Sequence, residues 1–359
     1  MHVRLRSIIV AILLLTCLES QAQFLYPIPK AKPLYCPSDT VSVYIIGDVM
    51  MHTRQLQHDH TYFLSQIEPY MQQADFCIAN MEFSLGGEPY SGYPAFSTPD
   101  YYADYVASCG ADVFLTANNH ILDRGSRGLL RTIRIYDGMA GSHGIRYTGI
   151  GKEPLIIHKH GIRIALVNFT YGTNVGPDGK APDVLRMKKE DVSAAIQSGK
   201  SAGADFIVAL PHWGVEYELR HCARQEEWAR WLAEQGCSAI VGAHPHVVQD
   251  TTHIKGVPVI YSMGNAVSNM SAPNTRLELA VTLRFVIDHI SGEKKMLEPQ
   301  LDWLWCTLPG KLTPSYATVR IKDWATRRSE WLNPSDYDNM MATLQRVSAA
   351  TGIPTCLRK

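Results

Sequence analysis

The 359-residue sequence predicts an α/β fold that contains more than one β-sheet. Short apolar runs typical of buried strands alternate with amphipathic segments typical of helices, a pattern found where helices cover a sheet. Two further strand pairs, 155–158 with 162–169 and 277–287 with 295–304, are joined by glycine-containing turns and predict hairpins. Because these hairpins add strands beyond a single doubly wound sheet, we expect two stacked sheets.

The alternating part of the chain predicts six strands and four helices. The strands are apolar or β-branched runs at 41–46, 75–79, 112–115, 205–210, 239–241 and 257–261. The helices are amphipathic runs at 99–109, 125–139, 188–202 and 226–235, and a glycine follows three of them as a C-terminal stop. A last strand over 316–321 and a helix over 337–349 carry no obvious chemistry, so we expect them to be structural.

The first 22 residues are typical of an export signal peptide. Two arginines precede an apolar segment, 8–18, that is too short to span a bilayer, and Ser20-Gln21-Ala22 fits a cleavage site. We therefore expect an exported protein, periplasmic or on the cell surface. Cys17 ends a segment similar to a lipoprotein box, but Thr16 replaces the usual small residue there. A lipid anchor, and with it peripheral membrane association, is the weaker alternative.

The remaining chain divides into three parts. A proline-rich linker is predicted at 23–40, the main domain at 41–310, and a strand–helix extension packed on that domain at 311–359. The 34 basic side chains equal the 34 acidic ones, which argues against nucleic acid as a partner. Seven cysteines lie beyond the signal segment, and no pair of them has the spacing of a zinc finger.

Polar side chains follow the carboxyl ends of the predicted strands, which is where open α/β sheets bind ligands. These residues are Asp48, Glu82, Asn119, His120, His212, His244 and His246. Carboxylate, amide and imidazole groups together suit one or two divalent transition metal ions, such as Mn, Zn or Fe. The set contains no thiolate, which argues against a structural zinc site. Two ions sharing a carboxylate, from Glu82 or Asp48, can activate water.

The sequence Gly242-Ala243-His244-Pro245-His246 gives the most specific geometric expectation. Proline ends any helix here and restricts its neighbour to extended conformations. Side chains two residues apart in an extended segment point to the same side. We therefore expect His244 and His246 to converge on one metal site.

Six motifs, in this order, resemble those of the CapA family, which is named for poly-γ-glutamate capsule biosynthesis and is itself similar to calcineurin-like metallophosphoesterases. The motifs are Gly47-Asp48-Val49-Met50, Asn80-Met81-Glu82, Ala117-Asn118-Asn119-His120 with Asp123 and Gly125, His212-Trp213-Gly214 with Glu216-Tyr217, Gly242-Ala243-His244-Pro245-His246 and Ser262-Met263-Gly264-Asn265. The resemblance covers residues 41–267. It implies a metallophosphoesterase-like four-layer sandwich of two β-sheets flanked by helices.

The resemblance also implies roles for single residues. The metal ligands would be Asp48, Glu82 as the bridge, Asn119, His212, His244 and His246. His120 would contact the substrate or protonate the leaving group, so His120 and Asp48 are the catalytic candidates. The chain departs from the pattern at Met50, where metallophosphoesterases carry a histidine, and the nearby His52 is a candidate replacement.

Several other residues remain open alternatives. The further site candidates are His52, Asn80, Asn118, Glu216 and Asn265. Glu216 would orient His212 or face solvent, and Asn265 is expected to end the last core strand. Asp123 is expected to cap the helix that begins at Gly125.

Two functions fit these patterns. The first is a metal-dependent hydrolase of an anionic envelope or capsule polymer, similar to poly-γ-glutamate, or of a phosphoester. The second is a non-catalytic component that binds the polymer during capsule synthesis and export, with envelope or capsule assembly proteins as partners. The many convergent imidazoles and carboxylates favour the first.

Overall fold

The computed structural model describes residues 38–176, 178 and 182–357. The predicted signal peptide, Cys17 and most of the predicted linker lie outside the described residues. Asp39–Lys359 forms one compact unit. None of the helices in the described ranges combines the length and hydropathy required to span a bilayer.

The described residues contain fifteen strands and seven helices. The strands are β1 (Ser38–Val49), β2 (Phe76–Met81), β3 (Val113–Leu115), β4 (Arg146–Thr148), β5 (Leu155–Lys159), β6 (Ile162–Thr170), β7 (Phe206–His212), β8 (Ala239–Val241), β9 (Thr251–Ile254), β10 (Val257–Ile260), β11 (Asn265–Val267), β12 (Leu277–Asp288), β13 (Lys294–Met296), β14 (Gln300–Thr307) and β15 (Ala317–Arg320). The helices are α1 (Glu68–Gln73), α2 (Asp100–Ser108), α3 (Gly125–Ser142), α4 (Lys189–Ser201), α5 (Ala223–Glu234), α6 (Ile321–Trp324) and α7 (Pro334–Thr351).

The strands form two sheets. The first sheet has the order β15-β14-β12-β1-β2-β3-β4, with β11 paired to β1 and β13 paired to β12. The second sheet has the order β5-β6-β7-β8-β10-β9. Strands β1 to β4 run parallel, as do β6, β7, β8 and β10, so each sheet gathers several carboxyl ends at one edge.

Alternation along the central strands produces the layers. In β1, Val41, Val43 and Ile45 point into a core shared with β6 of the other sheet, whereas Tyr44 and Ile46 point to the opposite side. The outer face of the first sheet packs against α2 and α3, and the outer face of the second sheet packs against α4 and α5. The predicted fold, two β-sheets flanked by helices, is confirmed.

The C-terminal segment contributes to both the first sheet and the core between the sheets. Strand β15 forms the outer edge of the first sheet, and α7 packs Met340, Leu344 and Val347 into the shared core. Both predicted hairpins are present, the first as β5–β6 and the second with β12 paired to β13 and β14. The sequence analysis missed the short strands β4, β9 and β11, which are three or four residues long, and the predicted strand 295–304 is divided into β13 and β14.

Candidate metal centre

Glu82 links two groups of buried side chains whose potential ligand atoms lie within 4.8 Å of one another. One group is Glu82, His212 and His244, and the other is Asp48, Glu82 and His246. Glu82 directly follows β2, and Asp48 lies beside Asn80 in the parallel pairing of β1 with β2. The register of β1 shifts between Ile46 and Asp48, and such an irregularity re-aims the next side chain.

The histidines come from the second sheet. His212 is the last residue of β7, and its backbone bridges to Ala243 just beyond β8, which joins the two strand ends. Nε2 of His212 lies 3.6 Å from a Glu82 oxygen and 2.8 Å from Oδ1 of Asn119. Nε2 of His246 lies 3.8 Å from the same Glu82 oxygen. Carboxylates of the first sheet therefore face imidazoles of the second.

Several polar atoms at this centre are buried without a hydrogen-bond partner among the described residues. They are both carboxylate oxygens of Glu82, Oδ2 of Asp48 and Nδ1 of His244. Buried polar groups are nearly always hydrogen-bonded in proteins, because leaving one unpaired costs about 1–3 kcal/mol. Carboxylate oxygens and imidazole nitrogens that lack protein partners fit a divalent cation held between them.

The pKa values of the centre fit the same interpretation. Burial and the neighbouring Asp48 carboxylate raise the pKa of Glu82 well above its usual value. Burial lowers the pKa of His212, and it lowers that of His244 to about 3, so both rings are neutral and can offer a lone pair. Burial is the largest influence on the pKa of His246 and acts to lower it, but the nearby Asp48 carboxylate, Asn265 and Glu216 together outweigh burial and raise the pKa above its usual value. Two carboxyl groups buried together are compatible when a cation lies between them.

The loop that carries His244 and His246 differs from the extended segment that was expected. Both residues have positive φ angles, 102° and 58°, and their ring centroids lie 6.0 Å apart. Positive φ is uncommon outside glycine and costs of the order of 1–3 kcal/mol, and such strain clusters at functional sites. The expectation of an extended backbone was wrong, and a bent loop brings each ring to a different side of Glu82.

Asn265 orients His246. Its Oδ1 accepts a hydrogen bond from Nδ1 of His246 at 2.9 Å, and its Nδ2 donates to the backbone oxygen of Thr275 at 2.9 Å. The same Nδ1 lies 3.2 Å from Oδ2 of Asp48. Asn265 begins β11 and does not end a core strand, so that expectation was wrong, and β11 pairs with β1 with Asn265 opposite Asp48.

His120 is held by residues that the metal groups do not include. Its Nδ1 lies 2.7 Å from Oδ2 of Asp123 and 3.1 Å from Nδ2 of Asn174. Asp123 also accepts a hydrogen bond from the backbone of Phe96 at 2.8 Å. The expectation that Asp123 caps the next helix was wrong, because Arg124 occupies the N-cap position. With Nδ1 turned to Asp123, Nε2 of His120 is the nitrogen available to a ligand.

Asn80 and Asn118 brace the residues around them. Nδ2 of Asn80 donates to Oδ1 of Asp48 at 2.7 Å and lies 3.3 Å from Nδ1 of His212. Asn118 donates to the backbone oxygen of Met81 at 2.9 Å, and its Oδ1 accepts from the backbone of His120 at 3.1 Å. Both amides therefore tie the loops of the site together.

His52 lies next to the centre but outside both ligand groups. Its Nδ1 lies 3.1 Å from Oε1 of Gln55 and 3.3 Å from the backbone nitrogen of Asn269. Burial lowers the pKa of His52 to about 4, and the charges of His246 and His120 act in the same direction. His52 is therefore a close neighbour of the centre, and both ligand groups are complete without it.

Exposed side chains form the rim of the site. Glu216 is exposed, while the hydrogen-bond partners of His212 are Asn119 and Asn80. Three exposed tyrosines each face one imidazole: Tyr93 faces His120, Tyr171 faces His244 and Tyr217 faces His246. The sequence analysis named Tyr217 only as part of a motif, and it did not single out Tyr93 or Tyr171, because a lone aromatic in a loop has no periodic signal.

The two sheets and the carboxylate-bridged histidine cluster define an α/β sandwich protein whose buried residues can hold one or two divalent ions. Residues 42–270 match the family model described as bacterial capsule synthesis protein PGA_cap, and the chain belongs to that family. The resemblance predicted from the motifs is thereby confirmed.

Individual relatives agree with this assignment. The chain is 26% identical over 260 residues to the capsule biosynthesis protein CapA of Bacillus anthracis, an alignment that covers 67% of this chain and 62% of that protein. It is 27% identical over 267 residues to the PGA biosynthesis protein CapA of Bacillus subtilis, covering 69% of this chain and 68% of that protein. The chain thus spans less than two thirds of the B. anthracis relative.

One solved structure, described as a novel phosphatase from Mycoplasma pneumoniae, is 12% identical with a TM-score of 0.43. That match covers 74% of this chain and 93% of the other.

Proposed function

We propose that this chain is an exported, metal-dependent hydrolase that cleaves an anionic envelope or capsule polymer of the poly-γ-glutamate type. The proposal rests mainly on Glu82, a buried carboxylate that belongs to both ligand groups and whose two oxygens have no hydrogen-bond partner in the part of the chain that the structure describes. The capsule role of the family and the name of the B. subtilis relative support the polymer as substrate. A phosphoester is the other substrate class that the same ligands suit.

The ions would be held by Asp48, Glu82, Asn119, His212, His244 and His246. When bound, they would supply Lewis-acid activation of water and of the scissile carbonyl or phosphoryl group. Hydrolysis of an amide breaks the C–N bond, and the hydroxyl of water adds to carbon while the nitrogen takes a proton. We assign delivery of that proton to Nε2 of His120, with Asp123 stabilising the charged ring.

Metal analysis of the purified protein tests the centre. We expect up to two Mn, Zn or Fe ions per chain, loss of both in Glu82→Ala, and loss of one in His244→Ala or Asp48→Ala. The matched control is Glu190→Ala, which changes an exposed glutamate in the first turn of α4. This variant should keep the wild-type metal content. Retention of both ions by Glu82→Ala would contradict the bridging role.

Turnover tests the reaction. Metal-loaded protein should shorten poly-γ-glutamate or cleave a chromogenic phosphodiester, and chelation should abolish either activity. A protein that binds metal and cleaves neither compound would contradict the hydrolase proposal.

A polymer-binding component of capsule synthesis is the second candidate, and the description of the family as synthesis proteins favours it. The first proposal requires the metal-binding residues for cleavage of the polymer, whereas the second does not require them for binding it. Polymer binding that persists in His244→Ala and His246→Ala, without turnover in the wild type, supports the second candidate and contradicts the first.

Export rests on the signal-like first 22 residues, and the composition of that segment supports it. N-terminal sequencing of the protein from fractionated cells should find Gln23 as the first residue in the periplasmic or surface fraction. A full-length chain in the cytoplasmic fraction would contradict export.

A further inference from the structure

A cavity of about 370 Å³ has a basic lining. Its lining residues are Arg54, His58, Asn269, Ser271, Leu308, Pro309, Lys311 and Tyr316. None of these is acidic. Its volume falls within the range of small-ligand pockets. We call this space the basic cavity.

The cations of the basic cavity lack carboxylate partners among the described residues. Elsewhere many exposed basic side chains are paired, as in Arg328 with Asp338 at 2.7 Å or Lys152 with Asp191 at 2.9 Å. Within the described ranges, Arg54 and Lys311 have no carboxylate within 4.0 Å. Two unpaired cations facing one cavity attract an anion, and an arginine can bind a carboxylate through two hydrogen bonds.

The wall of the basic cavity is held in place by other contacts. His58 packs edge-on against Tyr316 with ring centroids 5.3 Å apart, and the Tyr316 hydroxyl donates to Oδ1 of Asn269. Burial raises the pKa of Tyr316 to about 12, and the positive charge of Arg54 opposes that rise. Arg54 therefore lies close to Tyr316. The site is formed before a ligand arrives, which reduces the entropic cost of binding.

The basic cavity is connected to the metal centre through His52 and β11. Asn269 lines the cavity and donates its backbone N–H to Nδ1 of His52. His52 in turn lies close enough to His246 for the charge of His246 to lower the pKa of His52. Asn265, which orients His246, is four residues from Asn269, so their Cα atoms are at most ~14 Å apart. A ligand that occupies both places presents one group to the basic cavity and another to the metal centre.

We propose that the basic cavity is a substrate subsite in which Arg54, His58 and Lys311 bind a carboxylate of a chain whose neighbouring bond lies at the metal centre. The proposal rests on the hydrolase function above and specifies its substrate as a polymer with repeating carboxylates. A γ-linked glutamate chain meets this requirement, because each residue carries a free α-carboxylate. A small phosphomonoester does not, since it has no second anionic group for the cavity.

Binding of a γ-glutamate hexamer to the purified mature protein, measured by calorimetry at low ionic strength with and without chelator, tests the subsite. Arg54→Gln with Lys311→Gln should weaken hexamer binding at least tenfold in both conditions, with a smaller effect at high salt. The control double variant, Arg134→Gln with Lys322→Gln, removes two exposed charges on α3 and α6 and should bind as the wild type does. Unchanged melting temperature and metal content show that both double variants are folded.

The outcomes separate the subsite from the reaction. Hexamer binding that is equal in the cavity variant and the control overturns the subsite and leaves the hydrolase proposal standing. Lost binding in the cavity variant, with no turnover by the wild type, supports the subsite and overturns the hydrolase. Inorganic tripolyphosphate is the competing probe, and tighter binding of tripolyphosphate than of the hexamer overturns the assignment to carboxylates.

Discussion

Asp123 fixes His120, the imidazole that we assign to proton delivery and that belongs to neither ligand group. Its Oδ2 lies 2.7 Å from Nδ1 of His120 and also accepts the backbone N–H of Phe96. The hydrogen bond from Phe96 fixes the position of the Asp123 carboxylate. The orientation of the His120 ring therefore depends on a backbone group of another loop. Asp123 is therefore a positioning residue that acts through His120.

Asp123→Asn should reduce kcat about 100-fold while KM and metal content change little, because an amide no longer stabilises a charged His120. Steady-state kinetics with metal analysis measures this separation. His120→Asn should reduce kcat at least as much as Asp123→Asn does. The double variant should reduce kcat no further than His120→Asn alone. Additive losses in the double variant would contradict action through His120.

Glu278 is a buried carboxyl group behind the metal centre. Its Oε1 accepts the backbone N–H of Gly47 at 2.6 Å, next to Asp48, and its Oε2 has no partner among the described residues. Burial raises the pKa of Glu278 to about 8, the bond from Gly47 opposes the rise, and the charge of Asp48 adds to it. The folded protein therefore holds this carboxyl group protonated at neutral pH.

This pKa predicts a stability that falls with rising pH in the chelated protein. The unfolded chain ionises Glu278 above its usual value near 4.5, whereas the folded chain resists ionisation up to about pH 8. Between these values each pH unit lowers the free energy of unfolding by about 1.4 kcal/mol, in total of the order of 5 kcal/mol. Glu278→Gln should make this slope shallower by the share of one proton, about 1.4 kcal/mol per pH unit, in urea unfolding measured from pH 5 to pH 8.5. An unchanged slope, equal to that of Glu190→Gln, would show that Glu278 does not control it.

At the scale of elements, glycine lets two strands of the second sheet approach each other beside the histidine loop. A Cβ on Gly242, just after β8, would lie 2.2 Å from the backbone oxygen of Tyr261 and 2.5 Å from Nε1 of Trp213. Neither contact is tolerable, and Nε1 of Trp213 already donates to that oxygen at 2.9 Å. The loop that begins at Gly242 therefore depends on the absence of a side chain there.

Gly242→Ala should move this loop, destabilise the fold by about 1–3 kcal/mol and weaken binding of the ion assigned to His244. Urea unfolding and metal titration measure both effects. Gly138→Ala on α3 is the control, because a Cβ at this position would meet no described atom within 4 Å. This substitution should stabilise the fold slightly, since alanine favours a helix more than glycine does. A Gly242→Ala protein with wild-type metal affinity would contradict the prediction.

Sequence patterns predicted the main strands because their apolar runs stop abruptly at polar residues, as β2 does before Glu82. They could not predict the positive φ angles of His244 and His246, because non-glycine residues adopt them only under tertiary constraint. The partner of Asp123 was missed for a related reason. The capping rule considers only neighbours in the sequence and placed Asp123 at the helix N-terminus. The contact of Asp123 with His120 depends on the fold of the loop.

At the scale of the whole molecule, the centre lies where the two sheets meet. Asp48 lies near the end of β1, and Glu82 and Asn119 follow β2 and β3 of the first sheet. His212 ends β7, and His244 and His246 follow β8 of the second sheet. Neither sheet alone carries a complete ligand group. Metal binding should therefore stabilise the packing of the sheets against each other, and any contact that maintains their packing supports the site indirectly.

The contact between the C-terminal helix and the first sheet can be tested in isolation. Arg276, just before β12, binds Asp336 of α7 through two hydrogen bonds of 2.7 Å, with both side chains almost fully buried. The Arg276 guanidinium also lies 4.2 Å from the ring centroid of Trp305 and donates to the backbone oxygen of Cys306. This pair fixes α7 against the strands that form the edge of the sheet.

Asp336→Ala should lower the free energy of unfolding by about 3–5 kcal/mol, because it leaves the Arg276 guanidinium buried without a counter-ion. Asp338→Ala is the matched control on the same helix. It breaks the exposed pair with Arg328, where both side chains are about half exposed, and should destabilise the fold far less than Asp336→Ala does. Urea unfolding of both variants measures the difference, and equal losses would show that the buried pair does not anchor the helix. Because neither Arg276 nor Asp336 belongs to a ligand group, folded Asp336→Ala protein should still bind metal, with its weakened stability partly restored by the ions.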